Sequence, residues 1–371
     1  MPPIAGIDLK FKYPILLFLL LVSTLQSNAQ ELVADPLVNN SIETGTIKGA
    51  MYTVLIPEKW SGGLLLVAHG LRPDTMPISA RLNPQEQLYS ELLKDGWMVA
   101  ASSYRRNGYI VRDAVDDLDG LLSHIQNEYG KPRRTLIMGS SMGGAIATLI
   151  AETRYEDYDG VLAIGAALSV WDQQRPFQLS HQPHIPILYL SNQSEIQGPR
   201  KYVQQAATAP VIPAVWIVSR NGHVNVNDDE RKSALNALNQ FIDTGQIERD
   251  KDGTVDQKLS STARFSANRA YSKITSISAV HGNIFSGFVA KDLLRIGIKN
   301  GQRFHLSLGD QTFEVLWGNT YRDVGTGEWI AYISANDSLM IAVNMESACA
   351  TLNCKTGDQL VISTIDTNEE K

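Results

Sequence analysis

The residues best placed to do chemistry lie in four short loops. Ser141 is the centre of Gly139-Ser140-Ser141-Met142-Gly143, a G-x-S-x-G turn of the kind that pushes a serine hydroxyl out above a sheet. A serine nucleophile needs a base, a group to orient the base, and donors for the oxyanion. His223, in Arg220-Asn221-Gly222-His223-Val224, stands in the loop after the last strand of the pattern and is the expected base. Glu195, after Ile187-Leu188-Tyr189-Leu190, is the favoured acid, with Asp172 after the preceding strand as the alternative. Backbone N–H groups of Met142 and of Leu71, in His69-Gly70-Leu71, are the expected oxyanion donors, each contributing roughly 3 kcal/mol to the transition state. His69 itself reads as a structural loop residue.

These loops need elements to hold them. An apolar run at 135–138 enters the turn and a small, apolar, helix-forming run at 145–150 leaves it, so the sequence reads strand, sharp turn, helix. Side chains at Gly139 or Gly143 would collide with the strand or helix passing so tight a turn. Strands are expected at 52–56, 63–68, 97–102, 160–168, 185–190 and 214–219, alternating with helices at 84–94, 112–128, 199–207 and 228–244. Their near-continuous apolar runs predict an α/β fold, a doubly wound and mostly parallel sheet covered on both faces. Only a short Pro- and Gln-containing connection separates 168 from 185, which leaves no room for a lid domain. Asp113, Asp116, Asp117 and Asp119 crowd one face of the 112–128 helix. They read as a solvated face that complements the helix dipole, and no metal site or cofactor is expected.

Before this pattern, Lys10 and Lys12 precede an apolar run at 13–22, and Ser27-Asn28-Ala29 offers small residues at a cleavage site. Residues 1–29 are therefore expected to be a signal peptide, with export to the periplasm or medium and Gln30 as mature N-terminus. The apolar run is about ten residues against the roughly twenty that span a bilayer. The remaining roughly 340 residues predict two domains: 30–244, a polar linker at 245–270, and a mostly β domain at 271–365. In the latter, Phe304, Leu306 and Leu308 alternate with polar residues, Gly309-Asp310 supplies a two-residue turn, and Phe313, Val315 and Trp317 alternate again. That is a hairpin whose apolar face builds the core of a small barrel. Further strands are expected at 328–333, 339–343 and 359–363. With 19% charged residues and a net charge of -6, neither disorder nor a nucleic-acid surface is indicated. Cys349 and Cys354 either bridge or stay free.

On His69-Gly70, Gly139 to Gly144 and Asn221-Gly222-His223, residues 50–244 resemble α/β-hydrolases of the serine esterase and peptidase kind. The resemblance implies acyl transfer through an acyl-enzyme, with substrate entering over the carboxyl ends of the strands. Residues 277–362 resemble the C-terminal barrel of S-adenosylmethionine hydroxide adenosyltransferases and the related halogenases. The echoing stretches are His281-Gly282-Asn283, Thr320 to Val324, Leu339 to Asn344 and Gly357 to Val361. That likeness carries Asn283, Tyr321 and Asn344 over as ligand-binding candidates, with Tyr321 as a stacking surface for a purine. Asn336 stands where the halogenases carry an arginine, and their N-terminal domain is absent. The expectation is an exported serine hydrolase acting on a small or polymer-borne ester, without nucleic acid or a stable membrane span, with oligomerisation through the barrel left open. The alternatives are a serine peptidase, or an adenosyl- or nucleoside-binding protein on a non-catalytic hydrolase scaffold. Arg72, Arg105, Arg106 and Arg175 fall in loops at the expected mouth, where they would suit an acidic substrate.

Overall fold

A computed structural model of the chain describes residues 40–169, 171–172, 175–176, 178–278 and 281–365, which belong to one compact unit. The expected signal peptide lies outside the described residues. The first layer of structure runs β1 (Ser41–Ile47), β2 (Ala50–Ile56), β3 (Gly63–Ala68), α1 (Gln87–Lys94), β4 (Trp97–Ser102), α2 (Val111–Tyr129), β5 (Arg134–Ser140) and α3 (Met142–Thr153). It continues with β6 (Gly160–Ile164), the short pair β7 (Trp171–Asp172) and β8 (Arg175–Pro176), β9 (Ile187–Asn192), α4 (Gln197–Gln205), β10 (Ala214–Val218), α5 (Asp228–Thr244) and β11 (Asp250–Asp252).

Nine of these strands form one sheet in the order β1-β2-β4-β3-β5-β6-β9-β10-β11. β1, β2 and β4 pair antiparallel in succession, and every pairing from β4 through to β11 is parallel. Every residue of β6 and β9 is buried, because helices cover both faces. Leu118, Leu121, Ile146 and Tyr202 of α2, α3 and α4 pack on one face, and Leu88, Leu93, Leu235 and Leu238 of α1 and α5 on the other. Strand order reverses between β3 and β5, so a crevice opens at their carboxyl ends, where an open α/β sheet binds its ligand. His69-Gly70 follows β3 and Ser141 follows β5.

The acidic face of α2 differs from expectation. Asp117 is buried and accepts from the Arg105 guanidinium at 2.7 and 2.9 Å and from its backbone N–H at 2.8 Å. Asp113 binds Arg106, and Asp119 accepts from Arg154 and Tyr158. Three of the four carboxylates are held by arginines, and Asp116 is exposed as expected, with Arg154 no closer than 3.9 Å.

The second layer comprises β12 (Arg264–Ser266), β13 (Arg269–Ile277), β14 (Ile284–Ser286), α6 (Ala290–Arg295), β15 (Arg303–Leu308), β16 (Gln311–Trp317), β17 (Trp329–Ile333), β18 (Leu339–Val343), α7 (Ala348–Leu352) and β19 (Gln359–Ser363). The order β12-β13-β14-β18-β17-β16-β15-β19 closes on itself through β13 and β19, leaving β12 as a flap on a ring of strands. Leu308 faces Gln311, so the turn is Gly309-Asp310 as expected, with Gly309 at φ 58°. Phe304, Leu306 and Val315 are fully buried and Trp317 nearly so. Cys349 and Cys354 are bridged.

The stretch 245–270, expected as a linker, contributes an edge strand to each layer. β11 extends the first sheet, and β12 pairs with β13.

Candidate active site

Ser141 follows β5 and is the N-cap of α3, with φ 57° and ψ -119°, a conformation that non-glycine residues hold only at a cost of about 1–3 kcal/mol. The flanking glycines make the turn feasible. A Cβ on Gly139 would sit 2.0 Å from the Gly143 carbonyl oxygen, and one on Gly143 would sit 2.0 Å from that of Ala68. Backbone bonds from Ser141 to the Ile164 carbonyl and from Ala167 to the Ser141 carbonyl hold the bend against β6. The hydroxyl is thereby aimed out over the carboxyl edge of the sheet.

His223 Nε2 lies 2.8 Å from Ser141 Oγ, and Nδ1 lies 2.5 Å from Glu195 Oε2. The other oxygen of Glu195 accepts from the Val224 N–H at 3.1 Å, which fixes the carboxylate against the histidine loop. With Nδ1–H donating to Glu195, Nε2 is left as the acceptor for the serine proton. Asp172 does not take this place: its buried carboxylate binds Arg112.

Several residues that the sequence did not point to hold the loop. Ser194 Oγ accepts from the Gly222 N–H at 3.0 Å and donates to the Gly222 carbonyl at 2.9 Å. Asn192 and Asn225 exchange two bonds, of 2.8 and 2.9 Å, between the end of β9 and the loop. Arg220 donates to the buried Glu230 carboxylate, which also caps α5 through Asn227. Val224, a β-branched residue at φ 56°, shows how tightly the loop is constrained. The one sequence signal was the density of asparagines at 221, 225 and 227.

On the other side of the nucleophile, a Cβ on Gly70 would lie 3.2 Å from Ser141 Cβ. This packs the Gly70-Leu71 backbone beside the serine, while Met142 opens α3, where the first N–H groups have no partner inside the helix. His69 stacks on Tyr104 at 4.0 Å, and its ring nitrogens face the carbonyls of Gly70 and Ser103. Burial first, and the Arg72 charge second, push its pKa down to about 4, against the two carbonyl acceptors, which act to raise it. Among the arginines expected at the mouth, Arg105 and Arg106 are taken by Asp117 and Asp113, and the side chain of Arg175 lies outside the described residues. Arg72 is buried and lines a cavity.

That cavity, of about 700 Å³, lies between the first sheet and the barrel. Gly70, Ser140 and His223 border it from one side, and His281, Asn283, Tyr332 and Asn336 from the other. Asn283 also donates to the Tyr321 hydroxyl at 2.7 Å. Tyr321 stands edge-on to Tyr332, ring centroids 5.7 Å apart, so the ring proposed for stacking already has an aromatic neighbour. Asn344 is elsewhere, donating to the Val324 carbonyl at 3.1 Å. No group of three or more metal-ligating side chains occurs among the described residues, nor any helix long and apolar enough to cross a membrane.

Two family models match the chain. Residues 102–210 match the serine aminopeptidase S33 family, and residues 280–361 match the S-adenosylmethionine hydroxide adenosyltransferase C-terminal domain. An o-phthalyl amidase from Xanthobacter agilis is 28% identical over 126 residues, which is 33% of this chain and 26% of the amidase, so only about a quarter of that relative is spanned. Similar solved structures include MGS-M1, an α/β-hydrolase from a Medee basin deep-sea metagenome library, at 14% identity over 55% of this chain and 98% of that one, with a TM-score of 0.44. A dienelactone hydrolase from Anabaena variabilis is 17% identical over 56% of this chain and 98% of its own, with a TM-score of 0.41.

Proposed function

We propose that this chain, an α/β-hydrolase domain joined to a barrel of the S-adenosylmethionine hydroxide adenosyltransferase C-terminal type, is an exported serine hydrolase that cleaves carboxylic esters through an acyl-enzyme on Ser141. The observation that carries the reading is the hydrogen-bonded series Ser141–His223–Glu195 on a strained turn beside the Gly70-Leu71 backbone. Ser141 Oγ attacks the ester carbonyl carbon as His223 Nε2 takes the hydroxyl proton. Glu195 holds the ring in the required tautomer and stabilises the imidazolium. The N–H groups of Met142 and Leu71 receive the oxyanion. Collapse expels the alcohol, which leaves with the proton from Nε2, and water activated by the same ring then releases the acid and restores the serine. The Cys349–Cys354 bridge supports export, because disulfides persist in oxidising compartments.

Amide hydrolysis is the second reading, favoured by the S33 aminopeptidase match and the amidase relative. It uses the same groups, with His223 protonating an amine leaving group. A fluorophosphonate probe tests both, because it labels only a serine made nucleophilic by its base. The wild-type protein is expected to carry the label on the peptide containing Ser141, and Ser141→Ala to carry none. An unlabelled wild-type protein would end the serine-hydrolase reading. Rates on a nitrophenyl ester and the matching nitroanilide then decide between the two substrates.

A further inference from the structure

Resting on that serine-hydrolase reading, we propose that the cavity between the sheet and the barrel is a subsite for a carboxylate carried by the substrate, with Arg72 as its counter-ion and barrel side chains as its far wall. Arg72 is only 6% exposed. A guanidinium has five N–H donors; one bond holds the Ser79 carbonyl, and among the described residues no other acceptor and no carboxylate pairs with it. An arginine taken out of water without an anion is costly, and such groups are ordinarily paired. The other charges on the cavity do not supply the missing partner. Glu86 and Asp228 are both engaged by Arg231, at 3.4 and 3.1 Å, and Arg81 adds a second positive charge whose field reaches Arg72.

The position fits substrate better than structure alone. Arg72 directly follows the Gly70-Leu71 segment packed beside Ser141, and it lines the same cavity as His223. Its charge also reaches His281 on the barrel, so the two domains face each other across this point. Asn283 lines the barrel side, and the Ser334 hydroxyl, on a residue only 6% exposed, has no hydrogen-bond partner among the described residues. A planar carboxylate matches the guanidinium fork, and neutral donors opposite complete its shell. The cavity, at about 700 Å³, is of the size that holds a small organic acid. The barrel thereby becomes part of the substrate site.

The test uses the full chain and two readouts. The first is kcat/KM for a nitrophenyl monoester of glutaric acid relative to the same ester with its distal acid capped as a methyl ester. The ratio is expected to favour the free acid by about tenfold or more, the range of a charge-assisted bidentate bond. It should fall about tenfold in Arg72→Gln, less in Arg72→Lys, and about threefold in Asn283→Ala, where the loss is one neutral donor. A ratio unchanged in both Arg72→Gln and Asn283→Ala overturns the subsite. The second readout is independent of turnover and of variant folding: calorimetric binding of glutarate and of its neutral diamide to the wild-type protein. Glutarate is expected to bind at least about tenfold more tightly, and equal affinities overturn the subsite even if the esters are hydrolysed. Absence of fluorophosphonate labelling with retained glutarate selectivity would instead sink the hydrolase reading and leave the anion subsite standing.

Discussion

Glu195 and Asp172 are acidic residues following strands of the same sheet, yet one meets His223 and the other Arg112. Their losses should therefore differ in kind. Glu195→Gln is expected to lower kcat on activated short-chain esters by a factor on the order of 10³–10⁴, because the amide cannot stabilise the imidazolium and favours the wrong ring tautomer. Asp172→Asn breaks a pair whose arginine is largely in solvent and should leave kcat within about threefold. Steady-state rates on both variants check this, and an Asp172→Asn defect larger than that of Glu195→Gln would reverse the assignment. Ser141 and His223 could be read from the sequence because each is marked locally, by flanking glycines and by the loop after a strand. Glu195 could be favoured as the acid but Asp172 stayed open, since the choice depends on which strand end lies beneath the histidine loop. Arg105 and Arg106 misled for the same reason: their partners sit on a helix face that reads as solvent-exposed until the loop folds over it.

Among the elements, the turn between β5 and α3 tolerates the least change. In Gly143→Ala the new methyl would meet the Ala68 carbonyl oxygen at 2.0 Å, backbone against side chain with no rotamer to escape into. A loss of more than about 3 kcal/mol is expected, read as a large fall in the chemical denaturation midpoint. Wild-type-like stability would mean that the end of β3 does not pass this close to the turn. The apolar strands of both layers were legible because burial on one or both faces writes itself into composition. β1 and β11 were not, nor were β12, β13 and β14. β1 alternates between exposed and half-buried positions, and β11 is Asp250-Lys251-Asp252, so both join the sheet through backbone pairing that leaves no apolar trace. The turn at Gly309-Asp310 was legible for the opposite reason, that its backbone geometry calls for particular residues.

At the scale of the molecule, Asn225 and Asn227 join the histidine loop to the barrel, Asn225 by the shorter bond. Asn225 Nδ2 donates to the Asn221 carbonyl at 2.8 Å and to the Ile333 carbonyl of β17 at 2.9 Å. Asn225→Ala leaves both carbonyls unpaired and should cost about 1–3 kcal/mol. Because the same loop carries His223, kcat/KM is expected to fall on the order of tenfold as the base loses its fixed position. Thermal unfolding and ester kinetics on one preparation check the pairing of effects; a stability loss with unaltered kinetics would make Asn225 a strut only. The barrel was legible from the change of periodicity near residue 300, but not the joint, because no sequence pattern records a hydrogen bond between residues 108 positions apart. The closure of the barrel carries a further consequence, one of timing. β13 is completed only when β19 arrives, some ninety residues later along the chain by the roughly linear order of synthesis. A ribosome that stalls before Gln359, or a protease that trims back to it, leaves β13 and β15 with bare edges and a wall that cannot stand. On the proposed subsite, the sheet of the hydrolase half can form before the barrel wall opposite Arg72 closes, so carboxylate selection would depend on β19 while the Ser141 turn would not.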